Sequence, residues 1–289
     1  MGAIRRLKMS WISVFFIAPS LVSFLAFKYI PLVYAAFMSF FDYDFMKPPG
    51  RFMGLDNYSL LLKSTYFWTA LYNTFAIGLL SLLLTFWVPI LQALLLTGIK
   101  QANALYRFLY LVPVAVPAIA GIVLWKWIYN PDYGLANEWL GKLGLPPLMW
   151  LSDPSLAKLA LVIPGMLGGG LGVLIYYSAL QGISVELLES AKMDGAGPWR
   201  RLLAILLPNM RFVIGIQFIS FLAGVFLSFD AIFVMTGGGP ANSTKVLTML
   251  VYETAFKQNR FGSASAISLI VFVIVGIFSY VQIRVSSRG

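Results

Sequence analysis

The residues able to do chemistry in this chain are gathered mainly in one run, Val185 to Pro208 (VELLESAKMDGAGPWRRLLAILLP), set in an otherwise apolar sequence. It carries Glu186, Glu189, Lys192, Asp194, Arg200 and Arg201, so the chemistry on offer is ion pairing and hydrogen bonding at a docking surface. Bond-breaking chemistry has little to work with. Histidine is absent, which removes the commonest general base and metal ligand. Cysteine is absent too, so no disulfide framework or cysteine-based metal site is possible. Carboxylates are few and mostly lie in loops; no catalytic residue and no metal ligand set is expected. The run from Gly237 to Lys245 (GGGPANSTK) has the ingredients of a phosphate loop, but a phosphate loop needs Gly, four residues, then Gly-Lys-Ser/Thr opening a helix. It reads instead as a Gly/Pro turn between a span and a surface helix. Asp230, near the end of a span, is either a site residue or a helix-end cap.

Two short helices must position the charged run. Ser184 is placed to cap the first, with Glu186 in its first turn, where the helix dipole favours negative charge. Leu187, Leu188 and Ala191 recur at helical spacing and give it one apolar face. Gly195 stands where that helix stops and Pro198 where the next begins. Trp199, Leu202 and Leu203 supply the second helix with an apolar stripe, while Arg200 and Arg201 stay polar. A helix–turn–helix with apolar faces and charged rims is suited to docking on another protein. The alternative is an ordinary amphipathic hairpin lying on a membrane surface.

The rest of the chain is built for a bilayer. Of 289 residues 60% are hydrophobic and only 11% charged, whereas soluble domains carry roughly a quarter charged residues. Spans of about 20 apolar residues leave room for roughly six. They are expected at Trp11 to about Phe40 (punctuated by Pro19 and Pro31), Phe67 to about Thr97, Phe108 to about Trp125 (broken by Pro113 and Pro117), Leu159 to about Leu180 (interrupted by Pro164 and Gly168-Gly169-Gly170), Phe212 to about Met235 and Ala264 to about Ile283. Asp42 to Tyr66 and Tyr129 to Lys158 read as long polar loops, Thr236 to Arg260 as a Gly-rich loop followed by an amphipathic segment. Broken helices are tolerated at membrane depth only where protein or a cavity covers them, which directs the third span inward. The net charge of +10 could suggest nucleic acid. The basic residues are scattered along loops, however, and flanking the membrane is the better reading. Six spans put both termini on one side with the charged run, a side that carries Arg5, Arg6, Lys8, Lys100, Arg107, Lys192, Arg200, Arg201, Arg211, Arg284 and Arg288. The short N-terminal cluster makes that side cytoplasmic. The other side carries Lys47, Arg51, Lys63, Lys142, Lys245, Lys257 and Arg260 over longer loops.

Glu189-Ser190-Ala191, three residues, Gly195, nine residues, then Ile205-Leu206-Leu207-Pro208 resembles the EAA loop of ABC importer permeases, with Ser190 in place of the central Ala. Asp194-Gly195-Ala196 is the form typical of maltose-type sugar importers. Phe229-Asp230, Thr236-Gly237-Gly238-Gly239-Pro240, Tyr252 and Gly262, with Phe52, Gly54-Leu55, Asn57-Tyr58 and Asn73-Thr74 upstream, resemble the first-permease branch of that group. The likeness covers nearly the whole chain. It implies an all-α polytopic membrane protein with six transmembrane helices, the type I ABC importer permease fold. Residues 1–289 would form a single transmembrane permease domain, with a cytoplasmic coupling loop at 182–210.

In that family the loop inserts into a groove on the ATP-hydrolysing subunit. The implied coupling residues are Glu189, Ser190, Ala191, Asp194, Gly195, Ile205 and Pro208, with Glu189 forming a salt bridge to an Arg of the ATPase. The resemblance also implies a substrate pathway on spans four and five, at Pro164, Leu167, Gly168 and Leu171 and at Phe221, Gly224, Val225 and Ser228. These positions are smaller and less polar than the maltose pattern, which puts maltose itself in doubt and suits a longer oligosaccharide, or contacts made mostly by the partner permease. The implied partners are a second permease subunit, two ATP-binding subunits, an extracytoplasmic solute-binding protein and membrane lipid. No cofactor is expected on this chain, ATP and Mg belonging to the partner, and the place expected is the cell membrane. The runner-up substrate is a glycerol-phosphate type. A secondary transporter would be expected to show inverted repeats and coupling carboxylates inside spans, and neither is visible.

Overall fold

The computed structural model describes residues 11–99, 103–168 and 170–286. Arg5, Arg6, Lys8, Lys100, Gly169 and Arg288, named above, lie outside the described residues. The elements begin with α1 (Trp11–Phe24) and α2 (Ile30–Met38), joined by a π-helical turn at Leu25–Tyr29, then β1 (Phe41–Asp42), β2 (Arg51–Phe52) and α3 (Asp56–Lys63). Next come α4 (Thr65–Leu84), α5 (Val88–Gly98), α6 (Asn103–Ala115), α7 (Ala118–Ile128), α8 (Leu135–Lys142), α9 (Ala157–Val162) and α10 (Leu171–Gln181). The charged run forms α11 (Val185–Met193), α12 (Pro198–Arg201) and, after a π-helical turn at Leu202–Leu206, α13 (Leu207–Asn209). The chain continues through α14 (Arg211–Phe226), α15 (Asp230–Met235), α16 (Leu247–Tyr252) and α17 (Phe261–Ser286).

Among the described residues four helical segments are long and apolar enough to cross a membrane: Val14–Met38, Thr65–Gly98, Arg211–Met235 and Phe261–Arg284. Two bent pairs join them, Ala104–Ala115 with Ala118–Ile128 at 90° and Ala157–Leu167 with Leu171–Gln181. With each pair counted as one crossing there are six, in the order the hydropathy predicted. Prolines sit at the breaks because the ring removes an amide donor and clashes with the carbonyl four residues back. Pro117 stands between α6 and α7, Pro164 lies in the 3-10 turn Ile163–Leu167, and Pro89 opens α5 after α4 ends. Pro31 and Pro208 each follow a π-helical turn, whose wider ring lets the ladder skip the missing donor. Pro19 and Pro113 break nothing: α1 runs through the first and α6 through the second, so the third span bends at Pro117 and not at Pro113.

Side chains such as Phe15 and Phe27, 76% and 80% exposed, point away from the protein along the spans. Apolar surface on that scale is expected where lipid, not water, is the solvent.

The chain divides into two compact units, one formed by residues up to Lys63 with Glu253–Leu269, the other by Ser64–Tyr252 with the chain from Ile270 on. In the first, the expected polar loop at Asp42 to Tyr66 is structured. β1 and β2 pair antiparallel with Phe41 opposite Phe52, and α3 follows. Buried Asn57 organises this unit. Its Nδ2 donates to the Ser39 and Phe41 carbonyls (2.9 and 3.0 Å), and its Oδ1 accepts from the Ser263 hydroxyl (2.9 Å). Gly262 lies so close that a Cβ there would strike the Phe41 carbonyl oxygen and come within 3.1 Å of that of Met38.

In the second unit, α4 is the organising helix. Asn73, buried, donates through Nδ2 to the carbonyls of Asn242 (2.8 Å) and Lys245 (3.0 Å), and Thr74 Oγ1 accepts from the Leu247 amide (3.1 Å). The Gly-rich loop is thereby tied to α4. The segment after it, expected as surface, is packed inward: Leu247, Met249 and Leu250 of α16 are buried. Asn73→Ala would remove both bonds, taking the side-chain donor from the Lys245 carbonyl while the Asn242 carbonyl keeps the Lys245 amide (3.2 Å), at about 1–3 kcal/mol in all. The expected result is a lower apparent melting temperature in detergent, with the protein still inserted in the membrane; an unchanged melt would show that this clamp carries no stability. The long loop from Tyr129 to Lys158 also holds structure, α8, which short-range patterning did not reveal.

Candidate functional site

The charged run folds as its local signals dictate. The Ser184 hydroxyl oxygen accepts from the Leu187 amide (3.2 Å), which satisfies one of the free N–H groups at the start of α11. The same hydroxyl donates to Glu186 Oε2 (2.5 Å), and this bond holds the Glu186 carboxyl below the ordinary carboxylate range. At the other end Gly195 adopts φ +77°; its amide donates to the Lys192 carbonyl (3.1 Å) and the Ala196 amide to the Ala191 carbonyl (2.9 Å). That pair of bonds is a Schellman cap, and its left-handed residue is the reason a glycine stands there. Pro198 then opens α12 at its first turn, where no amide donor is needed. Ser184→Ala is expected to cost about 1 kcal/mol of local helix stability, read as faster hydrogen exchange at the Leu187 amide. The Glu186 contribution is present above the carboxylate's unfolded pKa and is lost as pH falls through its depressed folded value.

Within this hairpin Glu189, Ser190, Asp194, Gly195 and Pro208 are exposed, while Ala191 and Ile205 are half-buried. Large apolar side chains are exposed beside them, Met193 at 87%, Trp199 at 75% and Leu203 at 63%. The apolar stripe expected of the second helix therefore splits, Leu202 being half-buried and Trp199 and Leu203 facing outward. The Asn209 side chain caps the turn by donating to the Ile205 carbonyl (2.7 Å). Arg201 Nε is buried and has no hydrogen-bond partner among the described residues.

A second feature is a cavity of about 420 Å³ lined by Thr85, Phe86, Pro89, Gly165, Gly168, Tyr176, Gln217, Ser220 and Phe221. It lies where the breaks of two spans face α14. Glycines allow the close approach: a Cβ at Gly165 would come within 2.9 Å of Thr85 Cγ2, and one at Gly168 within 2.5 Å of Gln92 Oε1. Gly168 also has φ +64°, a backbone region that side chains disfavour. Gln92 Nε2 donates to the Leu167 carbonyl (2.7 Å) and pins the break. The lining combines aromatic rings with amide and hydroxyl groups, the mixture that orients a polar ligand with apolar faces.

Of the eight pathway positions expected from sequence, Gly168 and Phe221 meet at this cavity. Pro164 precedes it in the 3-10 turn, and Leu167 and Leu171 are exposed on either side of the break. Val225 packs toward α4, where a Cβ at Gly78 would come within 2.8 Å of it; Gly224 is exposed, and the Ser228 carbonyl accepts from Thr248 Oγ1 (2.5 Å). Sequence reasoning missed Thr85, Tyr176, Gln217 and Ser220. Gln217 and Gln92 carried a usable signal, since a primary amide inside an apolar span calls for a partner or a ligand. Asp230 is exposed in the first turn of α15, whose N-cap position is held by Phe229, so its carboxylate sits at the favourable end of the helix dipole.

Comparison with known proteins places this geometry in context. The family described as "Binding-protein-dependent transport system inner membrane component" matches residues 93–288. The chain is 31% identical over 279 residues to a probable ABC transporter permease protein, YurN, of Bacillus subtilis, with 95% of each chain covered. It is 30% identical to the multiple sugar-binding transport system permease protein MsmF of Streptococcus mutans, covering 96% of each. It is 32% identical to the trehalose/maltose transport system permease protein MalF of Thermococcus litoralis, covering 93% of this chain and 91% of that one. Among solved structures, a chain of a bacterial ABC transporter involved in the import of the acidic polysaccharide alginate superposes with a TM-score of 0.84 at 24% identity, covering 98% of this chain and 97% of that one, which establishes the fold. A capped, outward-facing helical hairpin between spans and a cavity at the span breaks accord with that assignment: the chain belongs to the family of binding-protein-dependent transport system inner membrane components, the ABC transporter permeases.

Proposed function

We propose that this permease forms half of the translocation pathway of an importer for a sugar or oligosaccharide, driven by a separate ATPase that docks on the loop at 182–210. The observation that carries the reading is the hairpin itself. It is fixed by a cap at each end of α11 and presents Met193, Trp199 and Leu203 to the outside beside Glu189 and Asp194. Glu189, Ser190, Ala191, Asp194, Gly195, Ile205 and Pro208 are the coupling residues of this proposal, and Glu189 pairs with an Arg of the ATPase.

The chain acts as one permease domain, 1–289, with both termini and the hairpin cytoplasmic. A second permease subunit, two ATP-binding subunits and an extracytoplasmic solute-binding protein complete the machine. ATP and Mg bind the partner, and this chain supplies no catalytic residue. ATP-driven closure of the partner moves the hairpin, the spans rock to open the cavity outward, and hydrolysis resets them. Relatives named for sugar transport support a carbohydrate substrate, and so does the aromatic and amide lining of the cavity, where Phe221 can stack on a sugar ring while Gln217 and Ser220 meet its hydroxyls. The pathway proposed is Pro164, Leu167, Gly168, Leu171, Phe221, Gly224, Val225 and Ser228, joined by Gln217.

Uptake of candidate sugars by proteoliposomes holding the whole complex tests this. Transport should require ATP and ignore a protonophore; uptake abolished by the protonophore and independent of ATP would overturn the reading. Gln217→Leu should raise the KM for transport about tenfold, the loss of one or two hydrogen bonds to the sugar, and an unchanged KM would remove Gln217 from the pathway.

A further inference from the structure

Helix α8 stands in the chain between the two bent crossings, a short helix with three distinct faces. Ala136 packs against the cluster of Tyr129, Ala160 and Met235, and Leu140 and Asn137 are half-buried on the same side. Asn137 makes the attachment rigid. Its Nδ2 donates to the carbonyls of Pro131 (3.1 Å) and Leu148 (3.0 Å), and its Oδ1 accepts from the Leu148 amide (3.0 Å) and Trp150 Nε1 (2.8 Å). On the adjoining face, Leu135, Trp139 and Leu143 recur at i, i+4 and i+8 and are 39%, 64% and 73% exposed. Glu138 and Lys142 flank this stripe, paired to each other at 2.9 Å, and the Lys142 ammonium also lies 5.1 Å from the centre of the Trp139 ring. A helix held so firmly on one side has no structural need for an outward tryptophan and leucines.

The helix that leads into this loop also has an exposed apolar face. Ile119, Val123 and Trp127 run up one face of α7 at the same four-residue spacing and are 50%, 52% and 45% exposed. Trp127 ends that face, and its ring lies 6.3 Å from that of Tyr133, centre to centre, just before α8 begins. Amphipathic rings at the end of a span mark the headgroup level. The chain reverses at once, through amides of Asp132 and Tyr133 donating to Asn130 Oδ1 (2.9 and 3.2 Å), so α8 starts at that level and is kept there.

We infer that α8 lies in the outer headgroup layer of the bilayer, with Leu135, Trp139 and Leu143 in the acyl boundary and Glu138 and Lys142 at the water side. It anchors the extracytoplasmic loop to lipid independently of any substrate. Lys142 suits that position, its aliphatic stem covering the Trp139 ring while its ammonium reaches phosphate.

The test uses the absence of native cysteines in this chain. Trp139→Cys, Leu143→Cys and Glu138→Cys are each spin-labelled in the purified permease, which is then assembled with its partners in phosphatidylglycerol/phosphatidylethanolamine liposomes. Collision rates with oxygen and with a water-soluble nickel chelate are compared. At 139 and 143 oxygen should dominate, at a depth of about 5–10 Å below the headgroup phosphates, while 138 should favour the nickel chelate. Equal nickel accessibility at all three positions would overturn the inference. So would labels at 139 and 143 that become shielded only when the solute-binding protein is added, since the face would then be a protein-docking surface. Retained ATPase activity of each labelled complex confirms that the helix is still in place.

Discussion

Glu189→Lys is expected to lower ATP-driven uptake by at least about tenfold while leaving the chain in the membrane at its normal level. Glu189 is exposed on α11 between a serine cap and a Schellman cap, so the helix holds without it, and no described contact of the fold depends on its charge. In the proposed complex it faces an arginine of the ATPase. Reversing its sign sets two cations against each other at an interface that excludes water, where breaking a charge pair costs 2–5 kcal/mol or more, so tenfold is a conservative floor. Glu189→Gln keeps the shape and loses only the charge, and should fall between. ATPase activity in the assembled complex separates this from misfolding: it should persist at the partner's basal rate and lose its stimulation by substrate. Full uptake by Glu189→Lys would remove Glu189 from the coupling surface.

Gly262→Ala should produce the largest loss of folded protein of any single methyl group added to this chain's first unit. The new Cβ would press on the Phe41 carbonyl oxygen and approach that of Met38 at 3.1 Å, both backbone atoms that cannot swing aside. The same junction holds Asn57 and its bonds to Ser39, Phe41 and Ser263, so a shift that relieves the clash breaks that network. Overpacking of this kind costs about 1–3 kcal/mol, and more where backbone must move, and solubilised protein should aggregate in size-exclusion chromatography. Gly276→Ala on the same helix is the control. A Cβ there meets nothing within 4 Å, and alanine is the better helix former, so the yield should hold or rise. Equal behaviour of the two variants would contradict the packing described for Gly262.

What could be read without coordinates was what is decided locally. Ser184, Gly195 and Pro198 mark the ends of α11 and α12 because caps are settled by residues a few positions apart. The four long apolar segments and the two bent pairs were legible for the same reason, hydropathy being a window property. The contacts that tie Asn73 to the loop at Asn242 and Lys245 join residues about 170 apart in sequence, and no local pattern announces them. The cavity was half legible. Gly168 and Phe221 came from resemblance, while Thr85 and Tyr176 reach it only because α5, α10 and α14 pack together. Burial of α16 was missed because an apolar face at helical spacing looks alike whether it meets lipid or a neighbouring helix.

The central claim is that this permease works by docking an ATPase on the hairpin at 182–210. Affinity purification of the chain from its native membrane in mild detergent, with mass spectrometry of everything that accompanies it, tests that most directly. The account predicts recovery of an ATP-binding subunit and a second permease with the wild-type chain, and loss of the ATP-binding subunit alone with Glu189→Lys. A chain that emerges by itself, with no ATP-binding subunit in either sample, would contradict it.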